Sequence, residues 1–227
     1  AHKLLALSIT ADCLPVADLR RPEGHGIIGD RAYGETVETV AELARAAAEG
    51  LMEGGVLPVM KHIPGHGRAN ADSHEALPAV AASLAELEQT DFEPFRRRND
   101  LPMAMTAHVL YTALDPQFAA TISPRIVRDV IRGHIGFDGL LMTDDLSMKA
   151  LTGSLQERAE RALEAGCDVA LHCNGNLDEM SEIAAVCPAL SGDAGRRAGA
   201  ALKRRKSPLD NMNLAEAQGR FSAMLTA

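Results

Sequence analysis

Gly139-Leu140-Leu141-Met142-Thr143-Asp144-Asp145 is a short apolar run closed by two consecutive carboxylates. A run this brief, bounded by glycine on one side and charge on the other, reads as a buried strand. The same design recurs along the chain. Apolar runs near Ile9–Val16, over Val56–Met60, over Pro102–His108 and over Cys167–Cys173 lead to Asp18, to Lys61-His62, to His108 and to His172-Cys173-Asn174. Pro58 argues against a central place for the second of these strands. Helical patterns fill the intervals. Thr36–Gly55 carries Val37, Val40, Ala41, Ala44, Ala48, Leu51 and Met52 at helical spacing, with Gly54-Gly55 as its stop. Ser83–Arg98 and Ser154–Ala165 read as further helices, and Ser123-Pro124 supplies an N-cap and first-turn proline for one reaching about Ile135. Two or three helices close the chain, with Ser207-Pro208 as the clearest break.

Strands that alternate with helices make a parallel sheet, either a barrel or a doubly wound fold. The polar residues decide between them. A polar group at the C-terminal end of every successive strand is what a (β/α)8 barrel offers an active site. A doubly wound sheet gathers its ligand groups at one switch point, and no glycine-rich phosphate fingerprint follows the first strand. A complete barrel has eight strands and typically ~250 residues, whereas this chain of 227 residues shows five strands. The expectation is an α/β protein with an incomplete (β/α)8 TIM barrel, comprising about the last five βα units plus C-terminal helices. Residues 1–227 would then form a single catalytic domain lacking its first three or so βα units. Two open parallel edges would leave it poorly stable unless a missing N-terminal segment completes the barrel.

Composition narrows the function. A net charge of −8, from 31 acidic against 23 basic side chains, argues against a nucleic-acid partner. The basic run Lys203-Arg204-Arg205-Lys206 reads as a solvated helix end. No apolar run approaches the ~18–20 residues of a membrane span, and no secretory leader is visible at the first residues. Cys13, Cys167, Cys173 and Cys187 show no CxxC spacing, and those flanking Asp168–His172 read as small core residues. Free thiols in a reducing, cytoplasmic compartment follow.

The segment richest in chemistry is Lys61-His62-Ile63-Pro64-Gly65-His66-Gly67, followed by Asp72-Ser73-His74. Two glycines and a proline shape a loop that carries three histidines, a lysine and an aspartate. A metal site from His62, His66 and His74 lacks any HExxH-like spacing. A Ser-His-Asp triad from Asp72, Ser73 and His74 fails because adjacent residues cannot form that relay. A dyad in which Asp72 orients and charges His74 is easily made on a loop and suits acid–base work near neutral pH. Of the consecutive carboxylates Asp144 and Asp145, neighbouring strand positions point opposite ways, so one can face the barrel mouth while the other ties down a loop.

Lys61 to His74 matches K-H-[FI]-P-G-x-G-x4-D-[ST]-H in full. With Asp144-Asp145-Leu146-Ser147-Met148 it resembles the bacterial β-N-acetylhexosaminidases of glycoside hydrolase family 3. Further similarity lies in Ile27–Gly34, Met105–His108 and Leu171–Asn174. The resemblance implies a retaining hydrolase that removes terminal β-linked N-acetylglucosamine from muropeptides during cell-wall recycling. Asp144 would be the nucleophile, His74 with Asp72 the acid/base, and Arg31, Lys61 and His62 the residues that hold the sugar; no cofactor or metal is implied. His108 receives no role. The family's Asp-Gln-Glu-Gly-Gly-type segment, which binds sugar hydroxyls, occurs nowhere in the sequence. Two competing readings follow: a catalytically impaired sugar-binding fragment, and a β-N-acetylglucosaminide phosphorylase, since a histidine donor repels phosphate less than a carboxylate does.

Overall fold

The structure is a computed structural model that describes residues 1–207 and 213–225. In chain order its elements are α1 (His2–Ala6), β1 (Ala11–Asp12), α2 (Val37–Glu53), β2 (Leu57–Ile63), β3 (Ala79–Val80), α3 (Leu84–Gln89), α4 (Glu93–Arg96), β4 (Met103–Thr106) and β5 (Leu110–Tyr111). A π-type helix over Ile126–His134 follows, then β6 (Leu140–Asp145), α5 (Leu155–Ala165), β7 (Val169–Leu171), α6 (Leu177–Val186), α7 (Gly192–Lys203) and α8 (Leu214–Leu225). Five strands form one parallel sheet in the order β1-β2-β4-β6-β7, curled into half a barrel.

Local chemistry explains the helix boundaries. The Thr36 hydroxyl accepts the Thr39 N–H and starts α2. A reciprocal capping box between Ser154 and Glu157 starts α5, and Gly166 at φ 112° ends it. The Ser123 hydroxyl accepts the Ile126 N–H at 3.1 Å, the cap read from Ser123-Pro124.

The sheet is apolar on both faces, as a parallel sheet covered by helices requires. Met60, Ala104 and Leu141 pack outward with Val40, Ala44, Ala48 and Ile126. Leu57, Val59, Met103, Met105 and Leu140 line the concave face, where Ala198 and Ala201 of α7 cover them. Arginines fasten α7 beneath the strands. Arg196 and Arg197 pair with Asp138, Arg197 also pairs with Asp168, Arg204 donates to the Asp100 carbonyl, and Arg205 donates to the Gly55 carbonyl. Each acceptor lies just before a strand. The basic run therefore braces the sheet as well as meeting solvent. Arg132 adds a second arginine contact to Asp168, at 2.9 Å.

Several expectations are corrected. Pro58 sits in an interior strand, which it tolerates because the ladder to β4 begins one residue later, at Val59–Met103. The first strand shrinks to Ala11–Asp12 plus an isolated bridge between Val16 and Lys61. Ser83–Arg98 is two helices, α3 and α4. The chain breaks at Thr90-Asp91, where Asp91, 1% exposed, turns in to meet Arg68 at 2.7 Å. The two-residue parallel pair β3–β5 was not anticipated. Only Cys167 is a buried core thiol; Cys173 is exposed, and all four cysteines are free. Burial pushes the Cys167 thiol up to about 12. Ser207 is described, but Pro208 of the expected break lies outside the described residues.

Among the described residues the outer strands β1 and β7 each have one unpaired edge. Beside β7 runs an apolar groove of about 630 Å³, lined by Val169, Leu171, Met180, Ile183 and Leu190 among others. No helix among the described residues is long and apolar enough to cross a membrane.

Candidate active site

A regular strand would send Lys61 and His62 to opposite faces of the sheet. Here the pairing of β2 with β4 slips between Lys61 and Ile63, a bulge that leaves His62 outside the ladder. Bulges re-aim side chains, and both Lys61 and His62 line one cavity. The Lys61–His62 and Ile63–Pro64 peptides are cis.

The buried carboxylate of Asp18 anchors this turn. Its oxygens accept the His62 N–H at 3.2 Å, His62 Nδ1 at 2.7 Å and the His66 N–H at 2.6 Å. Burial alone would raise the Asp18 pKa; the His62 ring and His66 outweigh it and lower the pKa. His66, 3% exposed, stands edge-on to the His62 ring at 5.4 Å. Desolvation and the neighbouring His62 lower its pKa to about 4, so it is neutral at physiological pH. Gly67 has to be glycine: a β-carbon there would collide with the Leu19 carbonyl.

At the end of β6 the two carboxylates divide their work. Asp145 Oδ1 accepts the N–H groups of Ser147 and Cys173, and Oδ2 accepts the Ser147 hydroxyl at 2.7 Å. It ties the loop after β6 to the loop after β7. Asp144 uses Oδ1 to accept the Asp145 N–H and leaves Oδ2 4.0 Å from His62 Nε2. His108 is a buried structural residue. Its Nδ1 meets Thr121 at 2.7 Å and its Nε2 meets the Asp145 carbonyl at 3.1 Å, holding the strand end in place.

His74 lies on the loop after β2 with its side chain 58% exposed, and its Nδ1 is 2.8 Å from Asp72 Oδ1. The same oxygen accepts the His74 N–H at 2.9 Å. That backbone bond, together with the ring, lowers the Asp72 pKa and keeps it anionic. An anionic acceptor at Nδ1 holds the proton there and turns Nε2 outward.

The structure brings Arg31, Lys61, His62, His74 and Asp144 to the wall of one cavity of about 160 Å³, with His66, Ser73 and Met148 beside them. Asp72 reaches it through His74. Sequence reading missed two residues as site members: Asp18, noted only as a strand-end residue, and His66, weighed only as a metal ligand. Their signal was an acidic residue closing an apolar run and a second histidine in the Pro-Gly-His turn. Among the described residues no three His, Cys, Asp or Glu side chains gather to hold a metal ion. The chemical capacity is clear: a buried carboxylate with one unbonded oxygen faces a cavity lined by cationic side chains and imidazoles, beside a loop-borne imidazole held by its own carboxylate.

Residues 1–199 match the glycosyl hydrolase family 3 N terminal domain. The chain belongs to glycosyl hydrolase family 3. A beta-hexosaminidase from Alkalilimnicola ehrlichii is 43% identical over 178 residues, which cover 77% of this chain and 51% of that protein. A beta-hexosaminidase from Tolumonas auensis is 43% identical over 186 residues, covering 80% of this chain and 55% of the relative. This family 3 chain therefore spans about half the length of the curated relatives it matches. Among solved structures, NagZ from Neisseria gonorrhoeae in complex with N-trifluoroacetyl-D-glucosamine superposes with a TM-score of 0.81 at 33% identity, covering 96% of this chain and 65% of that one. A glycoside hydrolase family 3 beta-N-acetylglucosaminidase from Paenibacillus sp. str. FPU-7 gives 0.83 at 31% identity, with 94% and 44% covered.

Proposed function

We propose that this chain carries the catalytic half of a retaining β-N-acetylhexosaminidase, which removes terminal non-reducing β-linked N-acetylglucosamine from peptidoglycan-derived muropeptides. The observation that carries the reading is the meeting of Asp144 and His74 at one cavity with Arg31, Lys61 and His62. Asp144 Oδ2 attacks the anomeric carbon and forms a glycosyl-aspartate. His74 protonates the departing oxygen and then takes a proton from the water that releases the sugar. Asp72 holds the ring for both steps, and the exposure of the loop suits closure over bound sugar. Arg31, Lys61 and His62 bond the hydroxyls. Cytoplasmic cell-wall recycling is the setting that this substrate implies.

The cavity of about 160 Å³ is smaller than the ~300–1,000 Å³ usual for ligand pockets. We assign residues 1–227 to a single catalytic domain whose barrel is completed by about three further βα units. The unpaired edges of β1 and β7, and the apolar groove beside β7, support this.

Trapping with a 5-fluoro N-acetylglucosaminyl donor tests the mechanism, with mass spectrometry to locate the label. Label on Asp144 and release of free sugar support it; label elsewhere overturns the nucleophile. Phosphate-dependent formation of a sugar 1-phosphate would make the enzyme a phosphorylase. Failure to turn over 4-nitrophenyl β-N-acetylglucosaminide, with normal turnover once the further βα units are added, would make this chain an impaired fragment.

A further inference from the structure

The cavity wall does not include Asp18, whose side chain is fully buried, yet it holds one nitrogen of a ring whose other nitrogen looks at the nucleophile. His62 Nδ1 is 2.7 Å from Asp18 Oδ2, and His62 Nε2 is 4.0 Å from Asp144 Oδ2. We propose that Asp18 is a positioning residue that fixes the tautomer of His62, so that Nε2 is presented to the sugar beside Asp144. This rests on the reading of Asp144 as the nucleophile.

A carboxylate can only accept, so the hydrogen between Asp18 and His62 belongs to Nδ1. In the neutral ring Nε2 then carries its lone pair and accepts a sugar hydroxyl's hydrogen. Such hydroxyl bonds strengthen as the oxocarbenium-like transition state forms. The same carboxylate takes the N–H groups of His62 and His66, so backbone shape and ring tautomer are set by one group. A merely structural Asp18 would be replaced well by asparagine, whose oxygen still accepts those N–H groups. Asparagine also has an NH2 that donates to Nδ1, which moves the ring hydrogen to Nε2. The hydroxyl then loses its acceptor, and a hydrogen points toward Asp144 instead. An aspartate-to-asparagine change behind a catalytic histidine costs about 10⁴-fold in kcat in serine proteases by the same inversion.

The test pairs a tautomer measurement with a kinetic cycle. Nitrogen-15 spectra of the wild-type chain, with His62 signals identified by their loss in His62→Gln, should show the Nδ1–H form, and Asp18→Asn should show the Nε2–H form. With 4-nitrophenyl β-N-acetylglucosaminide, Asp18→Asn should lower kcat by about 10²-fold or more with little change in KM. The double variant with His62→Gln should lose no more than about threefold beyond the worse single variant. A wild-type Nε2–H tautomer, or a double variant whose loss is the product of the two singles, overturns the proposal. If Asp18→Asn does not fold, the wild-type spectrum decides alone. A trapping label away from Asp144 counts against the nucleophile, and absence of turnover by the wild-type chain makes it the impaired fragment; in either case the tautomer still reports whether Asp18 holds His62.

Discussion

The Ser73 carbonyl accepts a hydrogen bond from the Ala150 N–H at 3.1 Å, and the Ser73 hydroxyl rests 3.8 Å from Met148 Sδ. The residue before His74 is thereby latched to the loop that follows Asp144. Two loops separated in sequence by the whole of β4 and β6 are thus joined directly, one carrying His74 and the other following Asp144.

Asp144→Asn should abolish covalent labelling and lower kcat by more than about 10³-fold, because an amide is a poor nucleophile. Thermal unfolding should move little, since among the described residues Asp144 accepts one hydrogen bond, from the Asp145 N–H, and lies 4.0 Å from His62 Nε2. Trapping and a melting curve on the same preparation check both halves.

His74→Ala should lower kcat by about 10²–10⁴-fold on a natural disaccharide. The loss should be smaller with a 4-nitrophenyl leaving group, which departs without protonation. Equal losses on the two substrates would count against His74 as proton donor. Asp72→Asn should follow the same leaving-group pattern with a smaller loss.

Acid should loosen α7. Asp138 is lowered from its ordinary 3.8 to about 2, chiefly by hydrogen bonds from Arg196 and Arg197. A carboxylate depressed in the folded state contributes stability above its unfolded pKa and loses it as pH falls toward the folded value. The contribution is therefore complete above about pH 4 and gone near pH 2. Exposure of the pair keeps it small. Melting temperature followed from pH 5 to 2 should fall less steeply in Asp138→Asn.

Phe95 is fully buried in the outer core with Phe92 and Tyr111. Phe95→Ala should destabilise by about 3–5 kcal/mol through lost burial and the cavity left behind. Urea unfolding gives the difference. A shift below 1 kcal/mol would mean the outer layer repacks freely.

What could be read from the sequence follows from range. Asp144, Asp145, Lys61 and His62 declare themselves by ending apolar runs, and a parallel half-barrel needs little more than that alternation. The partners of Asp18 lie 44 and 48 residues away, and no local pattern announces them. The break at Asp91 has the same origin: helical spacing continues through it, but the ion pair with Arg68 makes burial of Asp91 worth more than an unbroken helix. The β3–β5 pair is two residues long on each side, too short for any periodicity. Pro58 departs from the rule against central prolines because its position pairs with Asp12 on the β1 side alone, and the β4 ladder starts one residue on.

The brace beneath the strands has a bearing on how the chain is made. Arg205 and its acceptor Gly55 are 150 residues apart, and Arg204 and Asp100 are 104 apart. Contacts of such long sequence separation form late. During synthesis the methionine-rich hollow of Met103, Met105 and Met142 is finished before α7 exists to cover it. A nascent chain stalled before Gly192 would present that hollow as a sticky surface. Dependence on holdase chaperones should peak in that window and end when Ala198 and Ala201 emerge from the ribosome.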